Sequence, residues 1–173
     1  MARAAESPVV VRALTQGEWR LLRDIRLRAL ADAPDAFGRT FEEERGRPDA
    51  AWKAQLARSV RSDATLTAVA ERDGEPVGFV HAEVHPGEPR TAELYGMWVA
   101  PAARRAGAGR ALVDAIAAWA RSRGATRLVL NVTQGNTAAE QLYERAGLRF
   151  TDDAPVPLRE GSPLCARRME REL

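Results

Sequence analysis

The chain has 173 residues, of which 45% are hydrophobic and 29% charged, and its formal net charge is +2. These values are typical of one globular domain with a sizeable core, and so small a charge gives no support to nucleic-acid binding. The single cysteine, Cys165, excludes an internal disulfide. No signal-like segment or apolar run of roughly 20 residues is present, so we expect a cytoplasmic protein without membrane association.

The chain begins with a predicted tail and strand. Residues 1–8 are expected to form a flexible tail, which leaves residues 9–173 as a single domain. The β-branched run at 9–14 predicts a strand. Thr15 and Glu18 then have the spacing of a capping box, which predicts a helix start.

Two helices are predicted next. Large apolar side chains, with Arg26 among them, recur at helical spacing as far as about Ala31. Residues 32–47 read as a loop. Pro48 can occupy the first turn of a second helix, whose apolar face is formed by Trp52, Leu56 and Val60.

From residue 65 the hydrophobic period changes to two, which predicts a meander of three strands. The strands cover 65–72, 76–85 and 91–100, and Asp73-Gly74 is a hairpin turn signal between the first two.

The second half alternates helices and strands. It predicts a helix over about 109–123, an apolar central strand at 126–132, a helix at 136–146 and final strands at 148–153 and 164–173. The complete order, β-α-α-β-β-β-α-β-α-β-β, predicts a mixed α/β sheet with helices on both faces.

A glycine- and arginine-rich segment joins the meander to the following helix. Its pattern, Arg-x-x-Gly-x-Gly, runs from Arg104 to Gly109. A strand, a glycine turn and a helix N-terminus form an anion site, because unpaired helix N–H groups point outward there. The Walker A pattern is absent, and the dinucleotide fingerprint fails at Leu112. A helix start with solvated arginines is the alternative interpretation.

This segment resembles the acyl-CoA-binding loop of the GCN5-related N-acetyltransferase (GNAT) superfamily. A second segment, residues 128–150, resembles the strand-loop-helix of the same family, although Leu148 stands where phenylalanine is frequent. The matching positions there are Asn136, Ala139, Leu142, Tyr143 and Gly147. The resemblance covers about residues 65–150. It implies an α/β (α+β) fold whose mixed, mostly antiparallel sheet has six to seven strands, helices on both faces and a splayed central strand pair.

The resemblance also implies acetyl-CoA as the acyl donor and no metal. The pantetheine arm would lie between the strand ending at Val99 and the strand ending near Asn131, and the loop amides would hold the pyrophosphate. The residues implied in cofactor binding are Met97, Trp98, Val99, Arg104, Arg105, Ala106, Gly107, Ala108, Gly109, Arg110, Asn131, Asn136, Ala139 and Tyr143.

Two residues are candidates for the chemistry. Glu93 lies mid-strand before the loop and is the candidate base; alternatively it faces solvent or binds a cationic acceptor. Tyr143 would lie close to the CoA sulfur as general acid, or else it only packs in the helix. His81 is a reserve base if Glu93 points away. His85 reads as a packing or surface residue.

The acceptor side would be formed by the first two helices and their loop. The candidate substrate-binding residues are Phe37, Phe41, Glu93 and Tyr95. Acidic residues of the loop, such as those at 42–44, would attract a cationic amine or simply form a solvated charged run. We expect transfer to the primary amine of a small molecule, because the acidic, aromatic loop favours a compact cationic acceptor. Acetylation of a protein N-terminus or lysine, a non-catalytic acyl-CoA-binding module, and a homodimer all remain open.

Overall fold

The structure, a computed structural model, describes residues 7–173. Most of the predicted tail, residues 1–6, lies outside the described residues. The strands are β1 (Val10–Ala13), β2 (Thr65–Arg72), β3 (Glu75–His85), β4 (Glu88–Val99), β5 (Arg127–Thr133), β6 (Arg149–Phe150), β7 (Val156–Pro157) and β8 (Cys165–Glu172). The α-helices are α1 (Trp19–Asp32), α2 (Phe41–Arg45), α3 (Asp49–Arg61), α4 (Ala108–Ser122) and α5 (Thr137–Arg145).

The strands form one mixed sheet in the order β1-β2-β3-β4-β5-β8-β6, and β7 also pairs with β8. Every pair is antiparallel except β4 with β5. The mixed, mostly antiparallel sheet predicted from the sequence is therefore confirmed. The strand beyond the expected six to seven is β7, whose two residues are too few to show a hydrophobic period.

Helices cover both faces of the sheet, as predicted. On one face, Val80 and Leu94 pack in a buried cluster with side chains of α4 and α5. On the other face, Val69 and Phe79 pack with α1 and α3. Alternate residues of each strand point to opposite faces, so neighbouring side chains serve different cores. Within residues 7–173, none of the helices has the length and apolar character that crossing a bilayer requires.

Two local predictions were wrong. The loop over 32–47 contains the helix α2, whose first turn is closed by a capping box in which Glu43 N donates to Thr40 Oγ1 at 3.2 Å. In α3, Val60 is 45% exposed while Ser59 is buried. Ser59 Oγ lies 2.9 Å from Thr67 Oγ1 of β2, so a polar contact takes the inward position that we assigned to an apolar side chain.

The central strands separate, as the resemblance implied. Parallel pairing of β4 with β5 covers Thr91–Leu94 against Arg127–Leu130 and then ends. Beyond this point β4 keeps its ladder with β3, because Trp98 still pairs with Phe79. Over the last five residues of β4, the edge that faces β5 therefore pairs with no strand of the described part of the chain.

A bulge in β4 accompanies this separation. Tyr95 pairs with His81 and Trp98 pairs with Phe79, so three residue steps on β4 oppose two on β3. The extra residue is accommodated at Gly96, whose φ of +59° is in the left-handed region. A bulge bends its strand and increases the local twist, which turns the end of β4 away from β5.

Candidate active site

A cavity of about 700 Å³ lies at the separation of β4 and β5. Its wall includes Phe37 and Trp52 from the core under α1 and α3, and Tyr143 from the core under α4 and α5. The cavity is therefore bounded by residues from both faces of the sheet. Eight of the residues predicted to take part in catalysis, cofactor binding or acceptor binding lie in its wall, apart from the reserve base His81: Phe37, Glu93, Tyr95, Met97, Asn131, Asn136, Ala139 and Tyr143.

Glu93 is one of two buried carboxylates in the wall of this cavity, and 5% of its surface is exposed. Its Oε2 lies 2.7 Å from Nε2 of His85, and its Oε1 accepts a hydrogen bond of 3.2 Å from Asn131 Nδ2. A carboxylate so enclosed does not face bulk solvent, which removes one of the alternatives left open by the sequence. His85 is partly exposed, so it connects Glu93 to the surface.

His81 also lies in the cavity wall. Its Nδ1 is 2.9 Å from Thr67 Oγ1, which in turn contacts buried Ser59. Burial lowers the pKa of His81, and the positive charge of Arg26 lowers it further. The ring is therefore neutral at neutral pH and is held in place through one nitrogen.

Two tyrosines border the cavity in different environments. Tyr143 is buried, and burial raises its pKa, so its phenol stays protonated through the physiological range. Tyr95 is 39% exposed, and its pKa is raised by burial and by the negative charge of Glu93. Each tyrosine is consequently a hydrogen-bond donor at neutral pH.

The glycine-rich loop leads directly into α4. Gly107 is the N-cap of this helix and has a φ of +85°, a conformation that favours glycine. The N–H groups of the first helical turn lack intrahelical acceptors. The helix begins at Ala108, one residue before the predicted start, and the loop residues 104–110 lie outside the cavity wall.

The three arginines of the loop differ in their partners. Arg104 Nε donates to the carbonyl of Val99 at 3.0 Å, and its guanidinium pairs with Asp32. Arg110 Nε lies 2.9 Å from Asp114, and its Nη1 donates to the carbonyl of residue 145 at 3.1 Å. Arg105 is exposed, and its side chain makes no hydrogen bond or ion pair within residues 7–173.

Gly109 and Trp98 also have structural roles. A Cβ on Gly109 would lie 2.8 Å from Leu142 Cδ2, so a larger residue there would require the Leu142 side chain to shift. Trp98 is buried between β4 and α1, where its Nε1 donates to Asp32 Oδ2 at 2.9 Å. Ala106 lies in the loop, and Ala108 is the first residue of α4.

The predicted acceptor residues are only partly brought together. Phe37 is buried in the cavity wall, whereas Phe41 lies outside the wall beneath Arg45. Glu42 pairs with Arg45 at 2.7 Å and lies outside the wall as well. The acidic run therefore contributes one wall residue, the buried Glu44. Within the part of the chain that the structure describes, no cluster of three or more potential metal ligands occurs.

Comparison with known proteins identifies the family. Residues 26–148 match the Acetyltransferase (GNAT) family, which is more than half of the chain. The chain belongs to the GNAT acetyltransferase family. The separated strands β4 and β5, the bulge in β4 and the loop before α4 are therefore features of a GNAT-family chain. The resemblance to this family that the sequence motifs indicated is confirmed.

Individual relatives include acetyltransferases of two named kinds. A mycothiol acetyltransferase of Thermobispora bispora is 37% identical over 134 residues, which are 75% of this chain and 42% of the relative. An aminoglycoside N(6')-acetyltransferase type 1 of Klebsiella aerogenes is 40% identical over 101 residues, 56% of this chain and 64% of the relative. The chain thus spans less than half the length of the mycothiol acetyltransferase it matches.

Solved structures show the same GNAT fold. A spermidine N-acetyltransferase of Vibrio cholerae, solved in complex with CoA and spermine, superposes with a TM-score of 0.76 at 18% identity. The superposition covers 95% of each chain. At this identity the likeness concerns the fold.

The sequence indicated no site role for His85, which contacts Glu93, or for two arginines of the cavity wall. His85, judged a packing or surface residue, contacts Glu93 because β3 and β4 form a hairpin. Arg26 and Arg47 lie in the cavity wall. A signal for Arg26 was present, since it is an arginine among the apolar positions of the first helix. Arg47 lies in the segment that was predicted to be a loop, where no hydrophobic period marks it as an inward-facing residue.

Proposed function

We propose that this chain is an acetyl-CoA-dependent N-acetyltransferase that transfers an acetyl group directly to the primary amine of a small molecule in a ternary complex. One observation carries the proposal: Glu93 and Tyr143, from opposite sides of the sheet, line one cavity at the gap between β4 and β5. A base for the amine and a hydrogen-bond donor for the departing sulfur, both at one space, are groups that assist aminolysis of a thioester.

The residues fit the donor in two places. At the loop, the free N–H groups at the start of α4 and the unengaged Arg105 suit a pyrophosphate. In the gap, the unpaired edge of β4 beyond Leu94 suits the amide-rich pantetheine arm, since open backbone groups need partners. Acetyl-CoA supplies the activated acyl group, and the chain binds and orients it.

In this proposal Glu93 acts on the acceptor. It takes a proton from the nitrogen as the amine attacks the carbonyl carbon of the thioester; the C–N bond forms and the C–S bond breaks. His85, 2.7 Å from Glu93 and partly exposed, carries that proton onward to solvent. Asn131 holds the second carboxylate oxygen and so fixes its orientation.

Tyr143 acts on the leaving group. Its raised pKa makes complete proton loss to a thiolate unfavourable, because the ordinary pKa of a thiol is already lower by about 1.5 units. Its contribution is therefore a hydrogen bond to the sulfur while negative charge develops there. The proton that finally yields the free thiol comes from solvent.

The test is thiol release from acetyl-CoA with a panel of small primary amines, run beside calorimetric titration of acetyl-CoA. Binding with amine-dependent thiol release supports the proposal. Binding without release for any amine or for a lysine peptide indicates a non-catalytic acyl-CoA module. Absence of binding removes the proposal altogether.

A further inference from the structure

Arg26 is a cation placed beside the reaction space. It projects from α1 into the cavity wall, where its guanidinium carbon lies 4.6 Å from the ring centre of Phe37. A Cβ on Gly96 would lie 3.4 Å from Arg26 Nη1. The guanidinium therefore lies against the bulge of β4, close to the gap in which transfer is proposed to occur.

Arg26 has no anionic partner in the described residues. Within residues 7–173 it makes no ion pair and no hydrogen bond through its side chain, and its contact with Phe37 uses the ring face alone. A guanidinium carries five N–H donors, and a cation–π contact leaves them free for an acceptor in the ring plane. The donors of Arg26 are thus available to a ligand.

The carboxylate whose charge acts on Arg26, that of Glu44, is already committed. Glu44 is buried, and its Oε2 lies 2.8 Å from Arg47 while its Oε1 lies 3.8 Å from Arg39. Arg47 also donates to Gln55 and stacks on Trp52. This part of the wall therefore has three guanidinium groups to one carboxylate, and Arg26 is the one without a close ion pair.

Desolvation makes this arrangement unfavourable when the cavity is empty. Burial lowers the pKa of Arg26, and the charges of Arg47 and Arg39 lower it further, while Glu44 opposes the shift. An anion entering the cavity would relieve that cost, and a carboxylate matches the guanidinium in two parallel hydrogen bonds. The buried indole N–H of Trp52, in the same wall, also finds no acceptor among residues 7–173.

We propose that the acceptor is an amino carboxylate, whose carboxylate binds Arg26 and whose amine is thereby directed to Glu93; this rests on the proposed acetyltransferase function. The guanidinium of Arg26 is planar and can form two parallel hydrogen bonds with a carboxylate, so it selects for the negative charge of the acceptor and also fixes its orientation. Polyamines, which carry only positive groups, are disfavoured beside three arginines. The residues Glu42 and Glu43, which would attract such cations, lie outside the cavity wall.

The test compares matched acceptors on the full chain. Free L-amino acids, their amides and the corresponding decarboxylated amines are assayed for thiol release with acetyl-CoA. We expect kcat/KM for the amino acids to exceed that for the amides by about tenfold or more. In Arg26→Gln the preference disappears through a higher KM for the amino acids, with acceptors that lack a carboxylate little affected; Arg26→Lys retains part of it. Arg20→Gln, an exposed position on the same helix, is the control that leaves the preference unchanged.

A binding measurement keeps this inference separate from the catalytic proposal. The CoA-loaded protein is titrated with N-acetyl amino acids and with their amides. Tighter binding of the acids, lost in Arg26→Gln, supports the inference even if no amine is acetylated. Equal binding of acid and amide, or a preference that survives Arg26→Gln, overturns it, even if amines without a carboxylate are readily acetylated.

Discussion

The side chain of Asn131 donates a hydrogen bond of 3.2 Å to Glu93, directly where the pairing of β4 with β5 ends. Glu93 pairs in register with Val129, and the last pair is Leu94 with Leu130. Asn131 is therefore the first β5 residue beyond the ladder, and its amide holds the carboxylate at the entrance of the gap. The fold thus positions the candidate base through the same feature that opens the candidate cofactor site.

Replacing Glu93 by glutamine removes the proposed base and retains the shape of the side chain. We expect turnover at neutral pH to fall about 100-fold or more, because general-base catalysis of this kind is removed. Activity should recover steeply as pH rises, since free amine then becomes abundant without a base. Initial rates of thiol release from pH 6.5 to 9.5 measure both effects.

Glu83→Gln is the matched control for this substitution. Glu83 pairs directly opposite Glu93 but lies outside the cavity wall. It should keep wild-type rates and the wild-type pH profile. If the two variants behave alike, Glu93 is not the base.

Tyr143→Phe removes one hydroxyl from a buried ring. We expect kcat to fall on the order of 100-fold, because a hydrogen bond to the developing thiolate is lost, while the ring keeps its packing. The dissociation constant of acetyl-CoA, measured by calorimetry, should change little. An unchanged kcat would show that leaving-group stabilisation comes from elsewhere.

Arg105 and Arg110 make a matched pair within the loop. Arg105 is free of protein partners in the described residues, whereas Arg110 is held by Asp114. Arg105→Ala should raise the dissociation constant of acetyl-CoA about tenfold through loss of a phosphate contact. Arg110→Ala should leave it nearly unchanged, and the opposite ranking would contradict this assignment of the pyrophosphate contact.

The neutral state of buried His81 makes stability depend on pH. Its pKa is lowered in the folded protein, so the unfolded chain binds a proton first as pH falls below about 6.5. Above about pH 6.5 the neutral His81 ring contributes fully to the free energy of unfolding. Between about pH 6.5 and the lower pKa of the folded state, this contribution declines by at most about 1.4 kcal/mol per pH unit.

His81→Asn keeps a polar group near Thr67 and removes the titration. Chemical denaturation at several pH values between 7.5 and 5 should therefore show a smaller decline for the variant than for the wild type. If the free energy of unfolding declines with pH equally in the variant and the wild type, His81 is not held neutral in the folded protein.

Regular periodicity made most of the fold predictable. The alternation in β2 to β4 and the helical spacing of α1 and α4 extend over many residues, so the elements and their order could be inferred. Helix α2 could not, because five residues are too few to show a period. Its capping box, Thr40 with Glu43, was the available signal.

The site was predictable only where residues fall in recognisable motifs. Glu93 and Tyr143 were predicted in this way and line the cavity, whereas the glycine loop, predicted in the same way, lies outside its wall. The contact of His85 with Glu93 depends on the register of the β3–β4 hairpin, which is shifted near His85. Arg26 has no ion pair in the described residues because Glu44 pairs with Arg39 and Arg47 instead. The spacing of these residues along the chain does not predict which arginines pair with Glu44.

A crystal structure of the chain with CoA tests the central claim most directly. The account predicts the pantetheine arm between β4 and β5, the pyrophosphate at the N–H groups of residues 107–109, and the sulfur within about 3.5 Å of the Tyr143 hydroxyl. CoA bound away from this gap, or a sulfur remote from both Tyr143 and Glu93, would contradict it.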